Sequence, residues 1–431
     1  MHFIFIFYPQ HARSIHFRLT QSRLLLRERY TRLRSASLCY SITLFLFFTN
    51  TVAFSQENEP KEEEFYRLSL KYTAMPWYNL SGGLSQGFVY MDNLDAKAFL
   101  KVDHLLNWKH SLTFFGYLLG NNGGRATTLM GDFQVASKIE APRAWRLYEY
   151  WVEYHHATKP VSLLVGTYDL NSEFDILSPA QLFINSSFGI GAEYAQSGRN
   201  GPSIFPVAAL GIRSQVWLSD AFNIKMAILD GVPGDPKDLT SSVISLSASD
   251  GLLLALESTL YFKKPPFSTS KNRSSRLTAL PNKEKLNLGV WYYTARFPTV
   301  ADSTETEQGN FGIYAGYQQY FSENRLSTFM RIGGANPHFN QFSAAISGGM
   351  VYRSLFKRLD QLGIGFSTGL NNRILRRNGY KPHETVLELT ATTTLLHFLI
   401  IQPNFQYVIH PAAAPSIANA AVVSLSITIA L

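Results

Sequence analysis

The stretch Arg146–Pro206 reads RLYEYWVEYHHATKPVSLLVGTYDLNSEFDILSPAQLFINSSFGIGAEYAQSGRNGPSIFP. Two segments in which side-chain character alternates, RLYEYWVEY and VSLLVGTYDL, are separated by a turn of only a few residues. A long polar loop rich in glycine and serine follows them. Strand, tight turn, strand and oversized loop is the order typical of an up-and-down β-barrel. This stretch therefore predicts two neighbouring barrel strands and a loop larger than a connection needs.

The same alternation continues from Phe65 to the C-terminus, and no convincing segment of helical length with a period of 3.6 residues interrupts it. In the final stretch AVVSLSITIAL, the branched apolar residues share one face, while Ser424, Ser426 and Thr428 share the other. The segments KLNLGVWYYT, FGIYAGYQQY and RLSTFMRIG alternate in the same way. Alternation of this kind predicts strands with one apolar face.

Three features favour a membrane barrel over a soluble sheet. Many segments approach the roughly 9–11 residues that a tilted strand needs to cross a bilayer. The second face carries small, amide and hydroxyl side chains, as a water-filled lumen permits. Aromatic residues make up 14% of the chain, with 22 Tyr and 31 Phe, and tyrosines near strand ends are typical of interfacial girdles.

The chain beyond residue 55, divided among strands and connections of about 23 residues each, gives roughly 16 strands, within a range of about 14–18. An open sheet edge would leave unpaired backbone groups in lipid, so the sheet must close. We expect an all-β, transmembrane, antiparallel up-and-down β-barrel formed by one domain, residues 65–431.

Residues 1–55 differ from the rest, with seven arginines, no lysine and one acid, Glu28. An uncharged run from Ser35 to Gln56 contains the apolar segment Ile42–Phe48 and the small residues Ala53 and Ser55. These are the parts of a secretory signal. An N-terminal membrane anchor is the alternative, because the run is nearly long enough to span a bilayer when tilted.

Residues 1–55 also bear on the translation start and on the role of the single cysteine. Its basic part is long, so translation starting nearer Arg34 is an open alternative. The single cysteine, Cys39, precedes the apolar segment, which argues against a lipoprotein, and it excludes a disulfide within the chain.

Most of the net positive charge of the whole chain lies in residues 1–55. Without the seven arginines and one glutamate of residues 1–55, the formal charge falls from +8 to +2, so nothing here predicts a nucleic-acid partner.

Gln56–Glu64 is acidic and predicts a solvated periplasmic arm. The Pro-, Ser- and Lys-rich segment Lys263–Lys285 predicts a loop in water, with contact to lipopolysaccharide phosphates as its alternative.

The strand Arg146–Tyr154 suggests which face lines the lumen. A carboxylate facing hydrocarbon is costly, so the face that carries the glutamates should meet water. We expect one face to point to the lumen, formed by Leu147, Glu149, Trp151 and Glu153. The other should point to lipid, formed by Tyr148, Tyr150, Val152 and Tyr154.

Carboxylates accept hydrogen bonds from sugar hydroxyls, and an indole offers a flat apolar surface to a pyranose. The amides and hydroxyls of the loop suit neutral polyols better than ions. Two alternatives remain open: the glutamates pair with arginines across the wall, and the loop residues satisfy their own backbone. Arg331 is a candidate counter-charge for a pore-facing glutamate. The predicted pore-lining, sugar-contacting residues are Glu149, Trp151, Glu153, Asp169, Asn171, Glu173, Asn185 and Arg331.

Catalysis is not supported by the sequence. Glu149 and Glu153 are four residues apart in a strand, about 13 Å, which exceeds the separation that glycoside hydrolysis uses. His155 and His156 point to opposite faces and lack a third metal ligand at suitable spacing. No nucleotide-binding motif occurs. We therefore expect no catalytic residue, no cofactor and no metal.

Several segments, in order, resemble the carbohydrate-selective porins of bacterial outer membranes. They are GDFQVASKIEAPRAWRLYEYWVE, VGTYDLNSEF, LFINSSFGIG, AQSGRNGPSIFPV and ILDGVPGDP. The resemblance is dense from Gly131 to Pro236 and sparser up to the C-terminus. It implies a single 16-stranded barrel with inward-folded loops that narrow a pore for sugar diffusion. The chain departs from the family pattern at Thr167, where a basic residue is common, and at Lys138, where asparagine is common.

Together these observations predict a passive channel in the outer membrane of a Gram-negative cell, through which mono- or oligosaccharides diffuse. A porin for other small solutes is the alternative, and a barrel enzyme at the membrane surface is a third hypothesis. The expected partners are sugar solutes, outer-membrane lipid and lipopolysaccharide. Porins are often trimers, so a homotrimer is also a hypothesis, although no residue pattern marks its interface.

Overall fold

The computed structural model describes residues 65–431, except residues 107, 263–282, 305, 322–323 and 357. The predicted secretory signal and acidic arm therefore lie outside the described residues. So does most of the segment Lys263–Lys285, for which lipopolysaccharide contact was the alternative.

Sixteen strands of the described chain form one closed antiparallel barrel, in which each strand pairs with its neighbours in sequence and β1 closes on β18. The predicted fold class is confirmed. The strands of the barrel are β1 (Tyr66–Gly83), β2 (Gly87–Lys101), β3 (Ser111–Gly123), β4 (Ala144–His155), β5 (Val161–Tyr168), β6 (Ala209–Ser219), β7 (Phe222–Asp230), β8 (Leu252–Tyr261), β9 (Lys285–Tyr293), β12 (Phe311–Phe321), β13 (Leu326–Ala335), β14 (Phe342–Phe356), β15 (Leu359–Asn371), β16 (His383–Leu396), β17 (Leu399–Ile409) and β18 (Ala418–Ala430).

The remaining regular elements are short and lie in the connections. Strands β10 (Phe297–Pro298) and β11 (Thr306–Glu307) form a separate ribbon between β9 and β12. Among the described residues, no helix has the length and apolar character needed to cross a membrane. The α-helical turns are Asp103–Leu106, Thr127–Met130, Ala192–Ala195 and Arg373–Arg377; the 3-10 turns are Leu170–Ser172, Ser178–Leu182, Ser186–Phe188 and Pro411–Ala413.

The two mouths of the barrel differ in the length of their connections. The start of β1 and the end of β18 lie at one mouth, together with the short turns β4–β5, β6–β7, β14–β15 and β16–β17. The opposite mouth carries the long connections 124–143, 169–208, 231–251 and 294–310. Short turns face the periplasm in bacterial barrels. We therefore call the short-turn mouth the periplasmic mouth.

The connection between β8 and β9 is the exception to this division. It leaves the barrel at Phe262 and rejoins it at Lys283, and both residues lie at the periplasmic mouth. The residues between them lie outside the described part of the chain, so contact of this segment with lipopolysaccharide stays a prediction.

Along the strands, most inward residues are buried and most outward residues are exposed, as the alternation predicts. In β9, Asn287 and Trp291 are at most 2% exposed, whereas Leu288 and Val290 are 50% and 45% exposed. The apolar outward face suits lipid. The polar inward face supplies hydrogen-bonding groups to whatever enters the lumen.

The start of β4 corrects one part of the predicted alternation. Tyr117 pairs with Glu149 while its neighbour Leu118 pairs with Leu147, so Tyr148 is an extra residue in a β-bulge. Leu147 is consequently exposed on the outer face, and Tyr148 is 4% exposed and packs inside the barrel. The predicted lumen face holds from Glu149 onward but is reversed for these two residues.

The outward face of β13 gives a test of the membrane assignment. Met330 is 52% exposed near the middle of the strand, where a charge would face hydrocarbon. We expect Met330→Arg to lower the free energy of unfolding from liposomes by about 2–4 kcal/mol. Ser303→Arg, in an exposed loop at the opposite mouth, is the control and should leave unfolding unchanged. Equal stability of both variants would contradict a lipid-facing position for Met330.

Candidate functional site

Residues 169–208, which connect β5 and β6, fold into the barrel and cross to the opposite wall. Phe183 stacks on Phe188 with ring centroids 4.5 Å apart. Both rings also contact Phe329 of β13, at 5.6 Å and 6.1 Å. These residues form a buried apolar cluster with Leu177 and Val351. The loop is therefore an inward-folded element, as the fold prediction required.

Glycines in the facing wall make room for this cluster. A Cβ on Gly363 of β15 would lie 2.7 Å from a methyl carbon of Leu182. A Cβ on Gly365 would lie 2.9 Å from the Phe183 ring and 3.0 Å from Phe188. Such distances are below van der Waals contact, so a larger residue at either position would push the loop away from the wall.

The backbone of the crossing loop is fixed by polar side chains that point inward from four strands spaced around the barrel. Each accepts one or two hydrogen bonds from loop N–H groups, and each is buried. The acceptors are Glu149 of β4 for the Asp169 N–H (2.9 Å), Glu257 of β8 for Asp175 (2.7 Å), Gln318 of β12 for Ser178 (2.7 Å), and Glu388 of β16 for Ile184 (2.6 Å) and Asn185 (3.0 Å). A loop inside a barrel lacks sheet partners, and these side chains replace them.

A second loop, residues 124–143, is held in the same way. Glu384 of β16 accepts the N–H groups of Phe133 and Gln134, each at 2.9 Å. The Gln406 amide donates to the Ala136 carbonyl at 2.9 Å. Since Glu384 and Glu388 lie on one strand face, β16 anchors both loops.

Two arginines of the wall add charge pairing. Arg213 of β6 bridges Glu153 of β4 (2.5 Å) and Glu173 of the loop (2.7 Å). For Glu153, these contacts support the alternative in which glutamates pair with arginines across the wall. Removing one partner of a buried pair of this kind costs about 3–5 kcal/mol, because the other charge is left uncompensated.

The second of these arginines is Arg331 of β13. It contacts Asp175 (2.7 Å) and Glu193 (2.8 Å) of the crossing loop. It is therefore a counter-charge for loop carboxylates, rather than for the glutamates of the β4 wall.

The predicted residues of β4 lie inside the barrel but under the loop. Glu149, Trp151 and Glu153 are only 5%, 3% and 0% exposed. Trp151 stacks on Phe115 with centroids 4.7 Å apart, so its ring supports a neighbouring ring. Contact of these residues with sugar stays a prediction.

The predicted loop residues mostly serve the loop itself. The Asp169 carboxylate accepts the Asn171 N–H at 2.8 Å, and the Asn171 amide donates to the carbonyls of Phe174 and Gly189. Asn185 is 0% exposed, accepts the Ser187 N–H and donates to Gln406. These contacts support the alternative in which the loop residues satisfy their own backbone.

The two departures from the family pattern occupy different environments. By the alternation of β5, Thr167 shares the outer face with the exposed Val165, and it is 4% exposed. It does not line the constriction. Lys138 lies in the loop 124–143 and donates to the Gln181 carbonyl at 2.7 Å. Burial lowers the pKa of its ammonium to about 8, against the opposing charge of Glu388.

Glu384, Glu388, Glu257 and Arg213 are structurally important, yet sequence reasoning missed them. Each is a charge at an inward position among apolar or neutral neighbours, as in HETVLELT and LALESTL. The rule that placed Glu149 inside, the cost of a charge facing lipid, applies equally to these four. What the sequence does not show is which loop N–H each acid meets.

Glu388 provides a test of this anchoring. Glu388→Ala removes the acceptor of two loop N–H groups, and each hydrogen bond to a charged group contributes about 1.5–3 kcal/mol. We expect faster amide hydrogen exchange across residues 183–188, with the exchange of the barrel strands unchanged. Glu307→Ala, which removes an exposed acid, is the matched control. Unaltered exchange in Glu388→Ala would contradict the anchoring role.

Comparison with known proteins gives the family. Residues 85–431 match the family model described as carbohydrate-selective porin, OprB family. Porin AaxA of Chlamydia trachomatis serovar L2 is 30% identical over 146 residues, which is 33% of this chain and 32% of that protein. Porin AaxA of serovar D is 28% identical over the same length. The alignment thus spans about a third of these curated relatives.

Solved structures share the fold. The high-pH structure of Pseudomonas putida OprB has a TM-score of 0.71 at 18% identity, and the match covers 85% of this chain and 94% of that one. The outer membrane channel DcaP of Acinetobacter baumannii has a TM-score of 0.51 at 11% identity, covering 85% and 97%. With a family match over most of its length, a closed 16-stranded barrel and loops folded into the lumen, this chain belongs to the OprB family of porins and is an outer-membrane β-barrel.

Proposed function

We propose that this porin passes mono- or oligosaccharides by passive diffusion through the part of the lumen that its loops leave open. The family description supports the sugar assignment. The observation that carries it in this chain is a run of aromatic rings on the inner faces of β2, β3 and β4. Phe99 lies 4.4 Å from Phe115, and Phe115 stacks on Trp151.

Aromatic faces suit sugars because the C–H face of a pyranose is apolar while its hydroxyls remain free for polar groups. Phe99 is half-buried, whereas Phe115 and Trp151 are 8% and 3% exposed. Phe99 is thus the ring that a solute meets, and Trp151 positions it through Phe115. Sugar contact must stay weak, because a tightly held solute would block the channel.

Liposome swelling with a panel of sugars, amino acids and ions tests this proposal. We expect sugars to permeate faster than amino acids of similar size. Equal permeation of all small neutral solutes would favour a general porin. Turnover of a glycoside or lipid by the reconstituted protein would instead favour the enzyme hypothesis.

Variants of the wall test the site. We expect Phe99→Ala, Trp151→Ala and Glu149→Gln each to change sugar flux, because the first two remove the aromatic surface and the third weakens the hold on Asp169. Heat resistance of the folded barrel in detergent should persist. Trp145→Ala removes an indole that is 58% exposed on the outer face and is the matched control. Unchanged flux in all three variants would mean that this wall does not contact the solute.

A further inference from the structure

The charges on the inner face of the barrel are unequally accessible. Every acid on the inner face of the described strands is at most 5% exposed; these acids are Asp95, Glu149, Glu153, Glu257, Glu384 and Glu388. Each meets a cation or a backbone or side-chain donor, as described above for the loop anchors. Their charge is therefore compensated inside the wall.

The inward cations differ from these acids in exposure: six of them are half-exposed or exposed, although several also contact other protein groups. We call them the vestibule cations: Arg67, Lys71, Lys97, Lys101, Lys285 and Arg353. The contrast in exposure is clearest for Lys71 and Asp95, a vestibule cation and an inward acid that pair with each other. Lys71 contacts Asp95 at 3.0 Å, yet the Lys71 side chain is 49% exposed and that of Asp95 only 4%. Water therefore meets the ammonium rather than the carboxylate.

All six vestibule cations lie near one mouth. Arg67 is the second residue of β1, Lys101 the last of β2 and Lys285 the first of β9. Those strand ends form the periplasmic mouth. Two half-exposed acids at its rim are engaged: Asp103 accepts the Leu112 N–H at 3.5 Å, and Glu284 accepts the Tyr317 hydroxyl at 2.7 Å. The turns at this mouth also carry two exposed acids, Asp220 and Asp360, and Asp360 accepts the Thr394 N–H at 2.6 Å.

Two vestibule cations contact aromatic rings of the inner wall. The Arg67 guanidinium lies 4.7 Å from the centre of the Phe99 ring. The Lys97 ammonium lies 4.6 Å from the Tyr117 ring. Lys101 follows Phe99 by two residues on the same strand face, about 7 Å away. A flat apolar surface is thus flanked by cations along β1 and β2.

From this arrangement we infer that the periplasmic half of the lumen favours small organic anions, in particular sugars that carry a carboxylate or a phosphate. The sugar ring would pack on Phe99, and its anionic group would meet Arg67, Lys97 or Lys101. Rings of lysine and arginine are the usual means by which pores select anions and phosphates. The inference deepens the proposed sugar function and, for the sugar part, rests on it.

Reversal potentials in planar bilayers under a KCl gradient test the charge preference. We expect the wild-type channel to prefer chloride over potassium, and the triple variant Lys71→Gln, Lys97→Gln, Lys101→Gln to shift the permeability ratio towards potassium. The preference should weaken at 1 M KCl, where the Debye length is about 3 Å. Lys237→Gln, Arg373→Gln, Arg376→Gln neutralises three exposed cations at the opposite mouth and should change nothing. Potassium preference in the wild type, or no shift in the triple variant, would overturn the inference.

Uptake of labelled glucose and glucuronate into liposomes separates this inference from the proposed function. We expect the triple variant to lose glucuronate uptake more strongly than glucose uptake. Wild-type glucose uptake without any preference for glucuronate or chloride would overturn the inference and leave the sugar channel intact. Chloride preference with both sugars excluded would overturn the sugar channel and leave the anion preference standing. Detergent heat resistance of each variant confirms that the barrel has folded.

Discussion

The structure depends on one constraint, which is that loops folded into a barrel must find partners for their backbone N–H groups. Glu149, Glu257 and Glu388 provide such partners for residues 169–208, from strands on different sides of the wall. Glu384 does the same for residues 124–143. An unmet buried N–H costs about 1–3 kcal/mol. Without these acceptors the loops would therefore favour water outside the barrel over the lumen.

Packing and charge then decide where the crossing loop rests. Gly363 and Gly365 flatten the wall so that Phe183 and Phe188 can approach it. Arg331 fixes the loop carboxylates of Asp175 and Glu193. The result is a lumen narrowed by a segment that is hydrogen-bonded and ion-paired to the wall. The diffusion channel that we propose needs weak contacts at such a narrowing, because the solute must be recognised and still released.

The same arrangement gives a reason for the cationic character that we infer for the periplasmic mouth. Carboxylates that accept loop N–H groups must lie under the loops, so the acids of the wall are buried where the loops are. The periplasmic mouth lies away from the loops that fold into the barrel, and the vestibule cations there are half-exposed or exposed. The burial of the wall acids and the exposure of the vestibule cations thus both follow from the way the loops are anchored.

Sequence reasoning predicted the barrel, its strand count and the inward direction of Glu149, Trp151 and Glu153. It was wrong at Leu147 and Tyr148, since a bulge adds a residue that alternation cannot reveal. It gave Arg331 a role as counter-charge for a pore-facing glutamate but could not name the partners, which are Asp175 and Glu193, 156 and 138 residues away in the chain. Its expectation that the loop's amides contact sugar is untested, and Asn185 is wholly engaged by protein groups.

What the sequence alone determined is therefore the wall: period-two alternation, the cost of a charge in lipid and the need to close the sheet lead to a membrane barrel whatever the loops do. What only the tertiary structure decided is the content of the lumen. Which wall acid meets which loop N–H, and which cations stay in water, depends on contacts between residues distant in sequence. The local sequence pattern does not predict those contacts, because an inward strand residue has the same alternating neighbours whether a loop or water covers it.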